Sequence, residues 1–90
     1  MYFVILYKHN GSSDVQLTRR VLKEHVQHLK RFHESGQLFM SGLFAGTING
    51  MVILDVVSPE DAAVFMDQDP ALTSGVYTAT RHEWQIGFKK

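Results

Sequence analysis

The run Tyr2-Phe3-Val4-Ile5-Leu6-Tyr7 is apolar or aromatic at every position. Its length and its β-branched and aromatic content predict a strand with both faces buried. Lys8-His9-Asn10-Gly11-Ser12-Ser13 closes that strand with turn-forming residues. Asp14 can then cap a helix running to about Ser35, with Gly36 as its stop. Leu22, Val26, Leu29 and Phe32 recur at helical spacing and supply its apolar stripe. Gln37–Phe44 reads as a second strand, and Ala45 to Gly50 as a hairpin-like connection in which Asn49-Gly50 is a strong turn dipeptide and the place of the turn relative to Gly46 stays open. Met51–Val57 is a third strand, again apolar at nearly every position. Ser58-Pro59-Glu60-Asp61 then combines a capping serine, proline at the first helical position and acids in the first turn. That helix runs to about Asp67 with Ala62, Ala63, Phe65 and Met66 among its packing residues, and Gln68-Asp69-Pro70 stops it. Thr78 to Phe88 is the last strand, and Lys89-Lys90 a solvated tail.

The order β-α-β-β-α-β is the split βαβ arrangement of ferredoxin-like folds. It predicts an α+β domain, residues 1-90, with a four-stranded antiparallel sheet in the order 4-1-3-2. Two helices cover one face of such a sheet. Yet Phe3, Ile5 and Tyr7 alternate with Tyr2, Val4 and Leu6, and Val52 and Leu54 alternate with Met51 and Ile53. One set on each strand would remain in water as an apolar patch too large for a monomer. A second copy packed sheet to sheet covers it, so the pattern predicts a homodimer of the dimeric α/β-barrel type.

Composition narrows the function classes. With 90 residues the chain is below the length at which cores divide, and folding should bury roughly 60–65% of its unfolded surface. There are no cysteines, which excludes disulfides and thiolate metal sites. Nine basic residues balance nine acidic ones, leaving no electrostatic footprint for nucleic acid and no polybasic patch for a membrane. No apolar run approaches the ~20 residues of a membrane span, and no signal-peptide arrangement precedes the first strand. A cytoplasmic protein is the expectation.

Five histidines are the most conspicuous chemical feature, and His25, His28 and His33 fall on the first helix. His25 lies at the edge of the apolar stripe, His33 on the inward side and His28 near the boundary with solvent. An inward imidazole needs a hydrogen-bond partner. A backbone carbonyl would make His25 a structural histidine; a pocket between sheet and helix would make it a general base. Asp69 before proline reads first as a turn residue. The fold nevertheless puts the end of the second helix beside the first, where a carboxylate can fix an imidazole's tautomer. A metal site is disfavoured, because the H-x-x-H of His25 and His28 splays the two rings and zinc requires three or four ligands. No G-x-S-x-G, P-loop or dinucleotide fingerprint occurs. Strands one and three also lack the basic residues that accompany an RNA-binding sheet.

The run His25-Val26-Gln27-His28-Leu29, then Gly36, Ser41-Gly42, Gly50, Pro59-Glu60-Asp61-Ala62, Asp69-Pro70 and Trp84 resembles the YCII-related family over nearly the whole chain. The resemblance implies a dimeric α/β barrel related to muconolactone-isomerase-like proteins, with a His–Asp active site that maps onto His25 and Asp69. Some relatives are lyases or dehydrohalogenases of small ring compounds. After Ser41-Gly42 the family commonly has proline; this chain has Leu43-Phe44, which alters the pocket wall.

The sequence therefore leads to a small homodimeric lyase or isomerase without a cofactor, acting on a small organic molecule. His25 and Asp69 are its catalytic pair, and Ser41, Gly42, Phe39 and Trp84 its expected substrate-binding residues. The other reading is a ligand-binding or stress-associated accessory protein using the same pocket without turnover. Assembly beyond the dimer is left open by the residues.

Overall fold

The computed structural model describes residues 1–90. Strands β1 (Tyr2–His9), β2 (Leu38–Leu43), β3 (Gly50–Asp55) and β4 (Tyr77–Trp84) form one sheet, with helices α1 (Val15–Glu34), α2 (Pro59–Asp67) and α3 (Pro70–Thr73) between them. The sheet order is β2-β3-β1-β4, with every neighbouring pair antiparallel. This is the expected ferredoxin-like topology. No helix is long and apolar enough to cross a membrane.

Local chemistry sets the helix ends. The Asp14 carboxylate accepts from the Leu17 N–H, and the Ser58 hydroxyl accepts from the Asp61 N–H with Pro59 opening α2. Gly36 follows α1 with φ +83°, a conformation that glycine adopts without a Cβ penalty. Helix α3 departs from the sequence reading, in which Pro70 only ends a helix. Asp69 caps it, its side chain accepting from the Ala71 N–H, and Pro70 is its first residue. The dipeptide that stops α2 is thus also a helix start, because proline is disfavoured inside a helix and favoured at its first turn.

Of the two places open for the β2–β3 turn, the chain uses Gly46. The chain turns at Phe44–Thr47, closed by the Thr47 N–H donating to the Phe44 carbonyl, with Gly46 at φ +75°. Gly50 instead lies in β3, where an added Cβ would come 2.6 Å from the Gly42 carbonyl oxygen. Gly50→Ala is therefore expected to cost on the order of 1–3 kcal/mol by pushing β2 and β3 apart. Thermal unfolding tests this, and an unchanged midpoint would mean that the hairpin yields freely. Strand β4 ends at Trp84 rather than Phe88, and Phe88 is fully exposed. Strand β3 ends at Asp55, leaving Val57 in solvent.

The core lies between the helices and one face of the sheet. Phe3, Ile5 and Tyr7 of β1 face the same side as Leu54 and Val52, their cross-strand partners, and pack with Val21, Ala62, Phe65 and Ala71. The opposite face carries Tyr2, Val4 and Leu6 of β1, Met51 and Ile53 of β3, Met40 of β2 and Trp84 of β4. No helix covers it. Leu6, Met40 and Trp84 are all exposed, and only Ile53 is buried there by its neighbours. Part of the tail folds back, with the Lys89 ammonium 5.2 Å from the Phe39 ring centre. The accessible surface of 6016 Å² exceeds the about 5,300 Å² expected of a monomer of this mass, consistent with an uncovered face.

Candidate active site

Three elements bring their polar groups to one point beneath α1. Helix α1 supplies His25, the α2–α3 junction supplies Asp69, and the inward series of β1 ends in Tyr7. His25 Nδ1 lies 2.7 Å from Asp69 Oδ1. That same oxygen accepts the Ala71 N–H at 2.9 Å, and the Tyr7 hydroxyl donates to Oδ2 at 2.5 Å. Asp69 is wholly buried, whereas the His25 side chain keeps 12% exposure.

The protonation pattern follows from this geometry. Burial by itself would raise the Asp69 carboxyl, but donation from His25 and its charge, the Tyr7 hydroxyl and the Ala71 N–H together hold it below the ordinary carboxylate range. An ionised carboxylate only accepts, so His25 Nδ1 carries the proton at this contact. Nε2 of the neutral ring then bears a lone pair. That atom has no hydrogen-bond partner, and no buried side-chain polar atom in the structure lacks one, so Nε2 is accessible. Burial pushes the Tyr7 phenol far up, with the Asp69 charge acting in the same direction. Tyr7 is thus a fixed donor to Asp69 and not a base.

Beside this pair lies a cavity of about 260 Å³ between α1 and the sheet. Tyr7, Leu22, Val52 and Tyr77 form apolar walls, and His25, Ser41, Gly42 and Gly50 are its non-hydrophobic lining. The lining is mostly apolar, with a single imidazole among its side chains. No group of three or more His, Asp or Glu side chains is placed to hold a metal. The Tyr77 hydroxyl donates to the Ile48 carbonyl at 2.9 Å, tying β4 to the hairpin that walls the cavity.

Of the residues singled out from sequence, His25 and Asp69 come together, and Ser41 and Gly42 line the cavity. Phe39 and Trp84 do not. Phe39 packs edge-on against Tyr2 with ring centres 5.6 Å apart, and Trp84 stands opposite Tyr2 in register, so both lie on the uncovered side of the sheet. A bulge between Leu38 and Met40 shifts the β2 register, so simple alternation does not predict which side Phe39 takes. Tyr7 was missed because it reads as one more aromatic of a core strand. Its signal was the hydroxyl: a phenol in an inward series of aliphatic positions must find a partner.

The other two helix histidines exchange the places expected of them. His33 is exposed, near the end of α1. His28 is 1% exposed, between the rings of Phe32 and Phe65, because α2 packs against a flank of α1 that a single-helix projection assigns to solvent. Its Nε2–H donates to the Phe65 carbonyl at 2.8 Å, and Arg31 lies 3.2 Å from Nδ1. Burial lowers the His28 pKa, with Arg31 and His25 adding to it against Asp69 and the Phe65 carbonyl. The unfolded chain therefore binds this proton more readily. Stability is whole above about pH 6.5 and is lost as the pH falls from there toward the lowered folded value. Urea unfolding from pH 8 to pH 5 should show a decline in wild type that flattens in His28→Gln; equal pH slopes would remove the assignment.

Together these features define an α+β domain of ferredoxin-like topology that carries a histidine–carboxylate pair beside a largely apolar cavity. The sequence model of the YCII-related domain matches residues 1–82, and the chain belongs to that family. Among curated proteins none matches it. A similar solved structure is 5-chloro-2-hydroxyhydroquinone dehydrochlorinase from Burkholderia phenoliruptrix AC1100, in complex with 2,5-dihydroxybenzoquinone. It is 21% identical, the match covers 97% of this chain and 96% of that one, and the TM-score is 0.77. At that identity the likeness concerns the fold.

Proposed function

We propose that this protein is a cofactor-independent lyase or isomerase in which His25 moves a proton on a small cyclic, carbonyl- or enol-bearing compound. The observation that carries the reading is the accessible Nε2 of His25 beside an apolar cavity, with Nδ1 held by a fully buried carboxylate. Nε2 takes a proton from the substrate, and Asp69 stabilises the imidazolium that forms. The electron pair left behind either expels a leaving group such as chloride, giving a lyase, or is reprotonated at another atom, giving an isomerase. Ser41, which lines the cavity, would donate to oxygen as negative charge develops. The dehydrochlorinase of the same fold gives the first compound to try.

Chloride release from 5-chloro-2-hydroxyhydroquinone, followed beside isomerisation of small lactones, tests this reading. Turnover that depends on His25 is expected. Tight binding with no product from either class would instead favour the accessory, ligand-binding reading.

The functional unit in this proposal is a homodimer joined through the uncovered sheet face. Leu6, Met40, Met51 and Trp84 would pack against their counterparts there. Sedimentation should give twice the 10.2 kDa chain mass for wild type and a monomer for Leu6→Lys. A wild-type monomer at micromolar concentration would remove the dimer.

A further inference from the structure

All three donors to the Asp69 carboxylate, from His25, Tyr7 and Ala71, belong to residues that line the cavity, while Asp69 itself stands one layer behind them. Its two oxygens are served unequally. Oδ1 accepts from His25 Nδ1–H at 2.7 Å and from the Ala71 N–H at 2.9 Å. Oδ2 accepts from the Tyr7 hydroxyl alone, at 2.5 Å. The Ala71 donor is backbone and almost any residue would supply it. Tyr7 is therefore the one side chain besides His25 through which the sequence sets the charge on this carboxylate.

Packing does not account for that hydroxyl. Tyr7 continues the inward series of Phe3 and Ile5 on β1, and a phenylalanine there would fill the same space. The ring is held from two sides, its centre 5.1 Å from the His25 ring and 6.4 Å from the Tyr77 ring. Burial and the Asp69 charge push the phenol far up, so the hydroxyl keeps its hydrogen across the range where imidazoles titrate. A buried carboxylate favours a proton on the imidazole beside it. Each further donor to that carboxylate takes up part of its charge and weakens the pull.

Few other groups act on His25. Its ion-pair partner is Asp69, and Glu24, next to it in the chain, leaves α1 in another direction. One turn away lie Val21, Leu22, His28 and Leu29, of which His28 is engaged with the Phe65 carbonyl and has Arg31 beside it. Neither α3 nor β2 carries an ionisable side chain. The acids of α2, Glu60, Asp61 and Asp67, form no ion pair with it. From the sheet come His9, bonded to Thr18, and Tyr77, whose hydroxyl donates to the Ile48 carbonyl.

We infer that Tyr7 is a positioning residue that acts through Asp69: its hydroxyl fixes the carboxylate and draws off part of its charge, which keeps His25 a neutral base beside the cavity. The role presupposes that His25 is the base of the reaction. Without the hydroxyl, Oδ2 has no donor, the full carboxylate charge falls on the imidazole, and the ring holds its proton to higher pH.

An NMR titration of the full chain follows His25 in wild type, in Tyr7→Phe, and with 3-fluorotyrosine in place of Tyr7. Fluorine makes the phenol more acidic and hence a stronger donor. Tyr7→Phe should move the His25 midpoint up by about half to one pH unit, and the fluorinated ring should move it down. The acid limb of the kcat/KM profile should move with it. Tyr7→Phe then loses about three- to tenfold below the midpoint and almost nothing well above it. A midpoint that does not move in either protein overturns the role and leaves Tyr7 a wall of the cavity. A lower midpoint in Tyr7→Phe overturns it as well. Should Tyr7→Phe fail to fold, the fluorinated protein, which keeps both ring and hydroxyl, decides alone. The titration needs no substrate, so a shifted midpoint in a protein without turnover upholds the action of Tyr7 on the pair and removes only the enzyme reading.

Discussion

Asp69→Ala is expected to lower the unfolding free energy by on the order of 3–5 kcal/mol. The carboxylate is wholly buried and accepts from the Tyr7 hydroxyl, His25 Nδ1–H and the Ala71 N–H. Its removal leaves three donors short of a partner, each worth about 1–3 kcal/mol when buried and unpaired, and uncaps α3. Water entering the vacated space relieves some of that cost. A domain of this length has only about 5–13 kcal/mol in total, so the variant should unfold at a far lower urea concentration. The pH dependence provides an internal check. The folded Asp69 pKa lies below its ordinary value, so its charge stabilises the fold above about pH 3.9, and that contribution disappears as the pH falls through the lowered value. Wild type and variant should therefore converge in acid. A loss under about 1 kcal/mol at neutral pH would show that the three donors find other partners.

His25→Asn should reduce turnover by about 10²–10⁴-fold while leaving the fold in place. The asparagine amide can still donate to Asp69 from near the position of Nδ1, but it has no counterpart of the accessible Nε2. Initial rates of chloride release or lactone isomerisation measure the first effect, and the amide spectrum measures the second. Full activity in a folded His25→Asn protein would assign the proton transfer to another group.

The element order was legible because each segment carries its own signal. The unbroken apolar runs of β1 and β3 mark central strands, and Ser58-Pro59 and Asp14 mark helix starts through groups that act within a few residues. Properties that depend on packing between elements were less legible. His28 looked solvent-facing because α2 is invisible from the periodicity of α1, and Phe39 changed sides at a bulge that leaves no mark in alternation. Asp69 was legible as a partner for His25 only because the topology brings the α2 terminus to α1. Its third contact, Tyr7, lies 62 positions away and needed the β1 register to be seen.

The pair itself is most directly tested by the tautomer of His25, read from two-bond ¹H–¹⁵N correlations at a pH where the ring is neutral. A single form is expected, protonated at Nδ1 with Nε2 bare, and a mixture of forms once Asp69 is replaced by alanine. A wild-type ring protonated at Nε2 would contradict this, because the accessible nitrogen would then have no lone pair to accept a proton.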